Sequence, residues 1–374
     1  MSRLFAPIAL RELRLANRVV VSPMCQYSAV DGVAQPWHRV HLGQLALASA
    51  GLLLLEATAV EPRGRITPGC LGLWDDATEH ALGGVVTALR ALNPTVHVPL
   101  GLQLGHAGRK GSSHAPWDGG QQIPLEAGGW RTLAPSTVAH ADDELAPEAL
   151  DEAGMTALLE RFVDTVRRAE RLGFDALELH AAHGYLLHQF LSPVANRRDD
   201  DYGGSLENRM RWPLEVLATV RAVWPAGKPL GVRLSASDWD EDSSWTIEES
   251  TEFARRCEAA GADWIDASSG GVSSRQRIAL GPAYQVPFAA AIREAVDIPV
   301  IAVGLITEPA QAEEIVATGR ADMIALARAL LWNPRWVWHA AAELGGTVNA
   351  PAQYWRSEPR DARGVLGETR TGQR

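Results

Sequence analysis

Cysteine is scarce in this chain of 374 residues: only Cys25, Cys70 and Cys257 occur, all far apart in sequence. That spacing excludes C-x-x-C redox motifs, zinc ribbons and iron–sulfur runs, and it points to a reducing compartment. No two glycines stand two apart, so the G-x-G-x-x-G dinucleotide turn is absent, and the P-loop pattern is missing as well. There is no basic run or arm, and a net charge of −10 argues against a nucleic-acid partner. Long apolar runs are lacking too. Met1 to Leu10 has no signal-peptide core, and Leu45 to Val60 is interrupted by Ser49, Gly51 and Glu56 before it could span a bilayer. These absences predict a soluble, cytoplasmic protein that acts on small molecules, with no membrane and no nucleic acid among its partners.

What is present is a full core and a recurring rhythm. Hydrophobic residues make up 46% and charged residues 21%, enough apolar surface to bury a large domain. Short apolar strands are announced by a glycine or a proline. Gly51, Gly173, Gly261 and Gly319 precede LLLLE, ALELH, WIDAS and MIALA, as left-handed glycines closing a helix would. Pro99, Pro229 and Pro299 precede LGLQL, LGVRL and VIAVG, where proline pre-extends the chain. With Arg18 to Ser22 this gives eight strands, nearly continuous in apolar residues as strands covered on both faces must be. Between them, Leu158, Leu159, Phe162, Val163 and Val166 recur at helical spacing, and Thr246 with Glu249 reads as a capping box. Eight alternations predict a (β/α)8 TIM barrel over residues 1–345, with an open doubly wound sheet as the alternative. Residues 105–150, rich in Gly, Pro and Trp, are too long for a simple connection after the third strand and read as a lid. Residues 346–374 form a C-terminal extension. It is polar from Glu358, and its last residues are expected to fray.

In such a barrel chemistry gathers at the C-terminal strand ends. Those ends carry Ser22, Pro23, Met24 and Cys25; Ala57 and Thr58; Gln103 with His106; His180 with His183; Arg233; Ser268 and Ser269; Gly304; and Arg328. The fourth is the centre of the chain. His180 and His183 would face opposite ways on a continuing strand, so they converge only if the strand stops there. Gly184 and Tyr185 follow at once. Two imidazoles and a phenol at a strand end suit holding an oxygen atom and moving a proton. Gly304 and Arg328, after strands seven and eight, suit a phosphate, and Arg233 places a fixed cation at the mouth. Together they describe FMN. Carboxylates are few at these ends, which weakens a metal-dependent barrel hydrolase using His180, His183 and His106, although that alternative stays open.

The runs SPMCQY (Ser22 to Tyr27), EATAV (Glu56 to Val60), QLGHAGRK (Gln103 to Lys110), ELHAAHGYLLHQFLSP and DDYGGSLENR resemble the old yellow enzyme family. Cys25 and Tyr27 are similar to those of its bacterial, thermophilic-like ene-reductase branch. The likeness runs from Leu4 to about Arg356 in unchanged order. It implies a non-covalent FMN reduced by NADPH or NADH, and hydride transfer to the β-carbon of an activated alkene with protonation at the α-carbon. By the same resemblance, Ser22, Pro23, Met24, Cys25, Ala57, Gln103, Arg233, Ala327 and Arg328 would bind FMN, with Cys25 tuning the flavin; Gly304, placed after strand seven, joins them as the phosphate-binding glycine. His180 and His183 would hold the substrate carbonyl, Tyr27 would touch the substrate, and Tyr185 would donate the proton. The family's last motif usually ends Gly-Arg. Here it reads Ala327-Arg328, so an extra methyl is expected near the phosphate. The C-terminal QYWR resembles the segment that relatives insert into a neighbouring active site, which implies a homo-oligomer, dimer or tetramer, with Trp355 or Arg356 reaching across. A flavin-binding module without turnover is a second rival. The larger dienoyl-CoA-reductase type is a third, opposed by the missing cysteine cluster.

Overall fold

The computed structural model describes residues 2–92, 98–243 and 245–367. Eight parallel strands close into one barrel: β1 (Val19–Val21), β2 (Leu52–Ala59), β3 (Leu100–Gly105), β4 (Ala176–Ala181), β5 (Leu230–Ser235), β6 (Trp264–Ser268), β7 (Val300–Ala302) and β8 (Met323–Leu326). Each pairs with its neighbours in chain order, and β8 returns to β1 through Ile324↔Val19 and Leu326↔Val21. The predicted barrel is therefore the fold. Its strands are buried nearly throughout, as a sheet sandwiched between helices and its own interior requires.

The outer ring consists of α1 (Pro36–Ala46), α2 (Asp76–Leu92), α3 (Glu152–Arg171), α4 (Leu206–Val223), α5 (Ile247–Ala259), α6 (Val286–Arg293), α7 (Pro309–Ala317) and α8 (Trp336–Leu344). In α3, Met155, Leu158, Phe162, Val166 and Ala169 form the buried stripe, while Leu159 and Val163 flank it half-buried. Gly173, Gly261 and Gly319 take left-handed φ values of 77°, 96° and 74° where the helices turn into strands.

Two local expectations fail. Gly51 is not the left-handed residue after α1; Ser49 is, at φ 63°, and Gly51 instead lets the backbone of Asn17 approach. Thr246 occupies the N-cap position of α5, but its side chain makes no capping bond and no reciprocal box forms, because the Glu249 carboxylate is held by Arg209 at 2.8 and 3.0 Å. A buried guanidinium outcompetes a backbone N–H for a carboxylate.

The two ends of the barrel interior differ. At the N-terminal end, the antiparallel ribbon of Ile8–Leu10 with Leu13–Leu15 packs Leu10 and Leu15 against Val20, Leu52, Leu54, Ile301 and Met323. This plug was not foreseen, since three-residue strands carry little periodic signal. At the C-terminal end the interior turns polar, with Glu178, Arg233, Asp266 and Ser268 all buried.

Residues 106–150 contain short 3-10 turns at Gly108–Lys110, Pro116–Asp118 and Leu125–Ala127, and one two-residue parallel pairing, Leu133–Ala134 with Glu148–Ala149. After α8 the chain closes on Gly345 and forms the turn Ala352–Ser357, where Tyr354 meets Trp338 edge-on at 5.3 Å. The polar tail from Glu358 is not frayed as far as Gly367, because Val365 and Leu366 are buried. The expectation for the last residues, 368–374, lies outside the described ones.

Candidate active site

The fourth strand stops where the imidazole spacing required. Strand β4 ends at Ala181, and His183 and Gly184 both adopt left-handed backbone, φ 57° and 73°. A side chain at Gly184 would sit 2.1 Å from the carbonyl oxygen of Gly271, so only glycine fits this turn. A left-handed histidine is costly, and it persists because its surroundings over-determine it. Its N–H donates to Ser235 Oγ (2.9 Å), and that hydroxyl donates to Gly270 O (2.8 Å). Lys110 Nζ donates to both His183 O (2.9 Å) and Gly271 O (2.7 Å), pinning the loop after β6 to the turn after β4.

The result is a compact triad of rings. His180 Nε2 lies 3.4 Å from His183 Nδ1, and the Tyr185 ring stands perpendicular to His180 at 4.9 Å. Ala182 N–H donates to His180 Nδ1 (3.2 Å), which assigns the ring proton of neutral His180 to Nε2. With His183 Nδ1 facing that proton, His183 keeps Nε2–H as its donor. Burial, reinforced by the Arg233 guanidinium, holds both imidazoles well below their usual pKa. They are neutral donors at physiological pH. Burial first, then the nearby Cys25 and Tyr27, pushes the Tyr185 phenol well above its usual value, so it keeps its proton.

The polar floor is organised by Arg233, whose backbone is in register with His180. Its Nε donates to Ser268 Oγ (3.0 Å) and its Nη1 to Ser22 Oγ (3.1 Å); Asp266 lies 3.4 Å away. Gln103 donates to Glu178 Oε1 (2.8 Å), and Trp264 Nε1 donates to the other oxygen (3.0 Å). Burial, with Asp266 adding repulsion, pushes the Glu178 carboxyl up to about 8. Ala57 sits in a β-bulge between Leu55 and Thr58 where β2 loses register with β3, a device that re-aims a strand end.

At the ends of β7 and β8, Gly304 has φ 116°, and a Cβ there would lie 2.7 Å from Gln285 Nε2 and 3.1 Å from the Tyr284 ring. That is a backbone cradle left open by the absence of a side chain. Arg328 is exposed beside it, and its field, with that of Arg233, reaches the Tyr284 phenol. Anionic phosphate suits the Arg328 guanidinium and a glycine cradle, and a polar heterocycle suits Gln103, Ser22 and Arg233, so the residues fit FMN. Ala327 has φ −112°, outside the left-handed region, so its methyl carries no left-handed strain.

Above the mouth lies a cavity of about 690 Å³ lined by Tyr27, Ile66, Thr67, Lys110, Trp130 and His140 among others. Tyr27 meets Trp117 of the long excursion edge-on at 5.5 Å. His106, offered as a third metal ligand, is turned away from the pair. Its Nδ1 accepts from Gly108 N (3.0 Å) and its Nε2 lies 3.2 Å from Glu61. Among the described residues, no group of three or more His, Cys, Asp or Glu is arranged to hold a metal ion. None of their helices is long and apolar enough to cross a membrane.

Several positioning residues escaped the sequence reading. His188 Nδ1 accepts from Gly184 N (2.9 Å), and Gln189 Nε2 donates to Gly184 O (2.7 Å) and Ala107 O (3.1 Å). Lys110 and Ser235 anchor His183, and Gln285 ties Ser269 to Val303. Cys25 and Cys70, remote in sequence, come close enough that each shifts the other's thiol, Cys25 upward and Cys70 downward. His188 and Gln189 stood inside a quoted motif; nothing local marked Ser235, Gln285 or Cys70.

A parallel barrel with this polar mouth defines a flavin-type oxidoreductase. The chain belongs to the NADH:flavin oxidoreductase / NADH oxidase family, which it matches over residues 3–345. It is 43% identical over 355 residues to an NADPH dehydrogenase of Geobacillus thermodenitrificans, covering 94% of this chain and 98% of that one. Among solved structures it resembles morphinone reductase, with TM-score 0.75 and 29% identity over 94% of this chain and 91% of the other. It also spans about half (52%) of a 2-naphthoyl-CoA reductase, with TM-score 0.80 and 23% identity, a likeness of fold alone. The protein is an NAD(P)H-dependent flavin oxidoreductase of old yellow enzyme type, and its cofactor is FMN.

Proposed function

We propose that the chain is an ene-reductase, adding two hydrogens across an alkene activated by a carbonyl or a related group. FMN, when bound, takes electrons from NADPH or NADH and supplies the hydride to the β-carbon. Hydride arrival leaves enolate charge on the carbonyl oxygen. His183 Nε2–H would bind that oxygen, and His180 Nε2–H, which faces His183 Nδ1 at 3.4 Å, would be shared with it; neutral donors preorganised in a buried site stabilise developing charge more than the ground state. Tyr185, protonated and packed on His180, would deliver its proton to the α-carbon. Tyr27 would close the substrate side. For the cofactor, Arg233, Ser22 and Gln103 would contact the ring, with Pro23, Met24, Cys25 and Ala57 beside it, and Gly304, Ala327 and Arg328 would hold the phosphate. Residues 105–150 would act as the lid that selects the alkene.

The observation that carries this reading is the triad itself: two neutral imidazoles and a protonated phenol at one strand end. The test is a visible spectrum of the purified protein under anaerobic NADPH, followed by cyclohexenone. Bleaching and then recovery of the flavin colour is the expected result. Bleaching without recovery would leave a flavin reductase that does not act on enones.

The reading extends to assembly. The enzyme would form a dimer or tetramer in the cytoplasm, with the exposed Arg356, or Trp355, reaching a neighbour's mouth. In this chain Trp355 Nε1 donates to Ala350 O (3.0 Å), so Arg356 is the freer of the two. Light scattering that finds a monomer, or an Arg356→Ala variant with unchanged KM for the alkene, would remove this part.

A further inference from the structure

The loop after β1 bends at an unusual place. Tyr27, half-buried at the mouth, has φ 51°, a left-handed backbone that an aromatic residue rarely adopts. Such a conformation persists only where its surroundings over-determine it. On one side, the Tyr27 carbonyl lies so close to Gly69 that a side chain there would sit 2.4 Å from its oxygen, and Ala29 N–H donates to Gly69 O (2.8 Å). On the other side, Gln26 N–H donates to Glu56 Oε2 (3.1 Å). The Gln26 amide is tied down in turn, donating to Met24 O (2.9 Å) and accepting from Trp37 Nε1 (3.1 Å).

Glu56 is buried, 3% exposed, and its seat is rigid. It stands on β2 in the same irregular step as Ala57, and its carbonyl accepts from Thr58 Oγ1 (2.9 Å). Its second carboxylate oxygen faces Nε2 of His38, a fully buried residue of α1, at 3.5 Å. His38 Nδ1 accepts from Gln35 N–H (2.9 Å), which leaves the ring proton on Nε2. That Nε2 has no hydrogen-bond partner among the described residues, so Glu56 is the group that answers it. The carboxylate is thereby oriented from α1 and reaches from β2 to the loop after β1. A carboxylate accepting from a backbone N–H is roughly twice as strong as a neutral pair.

We propose that Glu56, oriented by His38, is the positioning residue that holds Tyr27 at the substrate mouth, so that it governs alkene binding rather than hydride or proton transfer. The proposal rests on the reading of Tyr27 as a substrate contact. The flavin side of the same loop is anchored separately. Ser22 N–H donates to Leu326 O (3.0 Å), and Ser22 Oγ accepts from Arg233 (3.1 Å). Loss of the Glu56 bond therefore frees Tyr27 to leave its left-handed backbone while Ser22 stays in place. The mouth then loses the phenol, and with it the edge contact to Trp117 (5.5 Å) that joins this loop to the long excursion.

The experiment titrates the oxidised holoenzyme with cyclohexanone, read from the flavin spectrum, and measures kcat and KM for cyclohexenone in parallel. Glu56→Leu should weaken ketone binding and raise KM by about tenfold, the size of one hydrogen bond to a charged group. Its kcat should stay within about twofold, as loss of uniform binding requires, and its FMN content should not change. Glu56→Gln keeps one acceptor oxygen and should lie between, at about threefold; it carries the test alone if the Leu variant does not fold. Tyr27→Ala should weaken binding by a similar factor, and adding Glu56→Gln to it should weaken binding no further, because both remove one contact. Additive losses, normal binding in Glu56→Gln or in Tyr27→Ala, or a fall in kcat with KM unchanged would overturn the inference and leave Glu56 a structural carboxylate. Ketone binding that follows this pattern in an enzyme unable to reduce cyclohexenone would uphold it and remove the ene-reductase reading, so the two fail separately.

Discussion

The two ends of the barrel are built from the same eight strands and do opposite work. The N-terminal end is filled by Leu10, Leu15, Val20, Leu52 and Met323 and sealed by the N-terminal ribbon. The C-terminal end buries Arg233, Glu178, Asp266 and His180, with His183 half-buried beside them. Burying charge is costly, whereas burying leucine is favourable, so the first end contributes stability and the second draws on it. The division matches the general barrel rule that chemistry sits at the C-terminal face. This chain shows the physical cause: positions a few residues apart on one strand change from apolar to ionisable.

Substitutions can break the comparison. Replacing His180 and His183 together with Ala should slow flavin reoxidation by an enone by about 100- to 1,000-fold, as loss of oxyanion donors does. Flavin reduction by NADPH should change little in the same stopped-flow experiment. Equal losses in both half-reactions would show that the pair is not the carbonyl site. At the other end, Leu15→Ala should cost about 2–5 kcal/mol of stability. Urea unfolding would read it, while both half-reactions in the folded protein stay near wild type. If Leu15→Ala instead impaired turnover without lowering stability, the division between the ends would be wrong.

Tyr185→Phe should slow product formation by about 100-fold, because it removes the proton donor and leaves the carbonyl site intact. A solvent isotope effect that persists unchanged in the variant would assign the proton elsewhere. Ser235→Ala removes the anchor of the left-handed His183, worth about 1 kcal/mol. It should lower kcat for the alkene more than it raises KM, and Ser235→Thr should restore it.

The smallest effect is in pH. Burial drives His41 and His140 down to about 4, and holds His180 and His183 low as well. Unfolded histidines titrate near 6.5, so below that value the unfolded chain binds protons that the native chain refuses. Stability is fully present above about pH 6.5 and falls as pH drops from there towards about 4. Calorimetry should show Tm declining over that window; a flat profile would mean these imidazoles are not held neutral.

The fold was legible because strands covered on both faces must be apolar runs, and because glycine or proline marks where each begins. The site was legible at His180, His183 and Tyr185, since that spacing demands a strand end. Less was visible where partners are remote. Glu249 looked like a cap until Arg209, from another helix, took its carboxylate. Ser235 and Lys110 gave no local sign that they brace His183, and Gln285 none that it bridges β6 and β7.

The sequence by itself determined eight alternating elements, the places where strands stop, and the residue types gathered at those stops. These depend on local backbone preference and periodicity, which a linear chain carries in full. Only the tertiary structure decided which of the stops face one another. Closing β8 onto β1 brings Ser22 to Arg233 and, with the loops beyond, Cys25 to Cys70. Such contacts arise from barrel closure and loop packing, and they leave no trace in spacing along the chain.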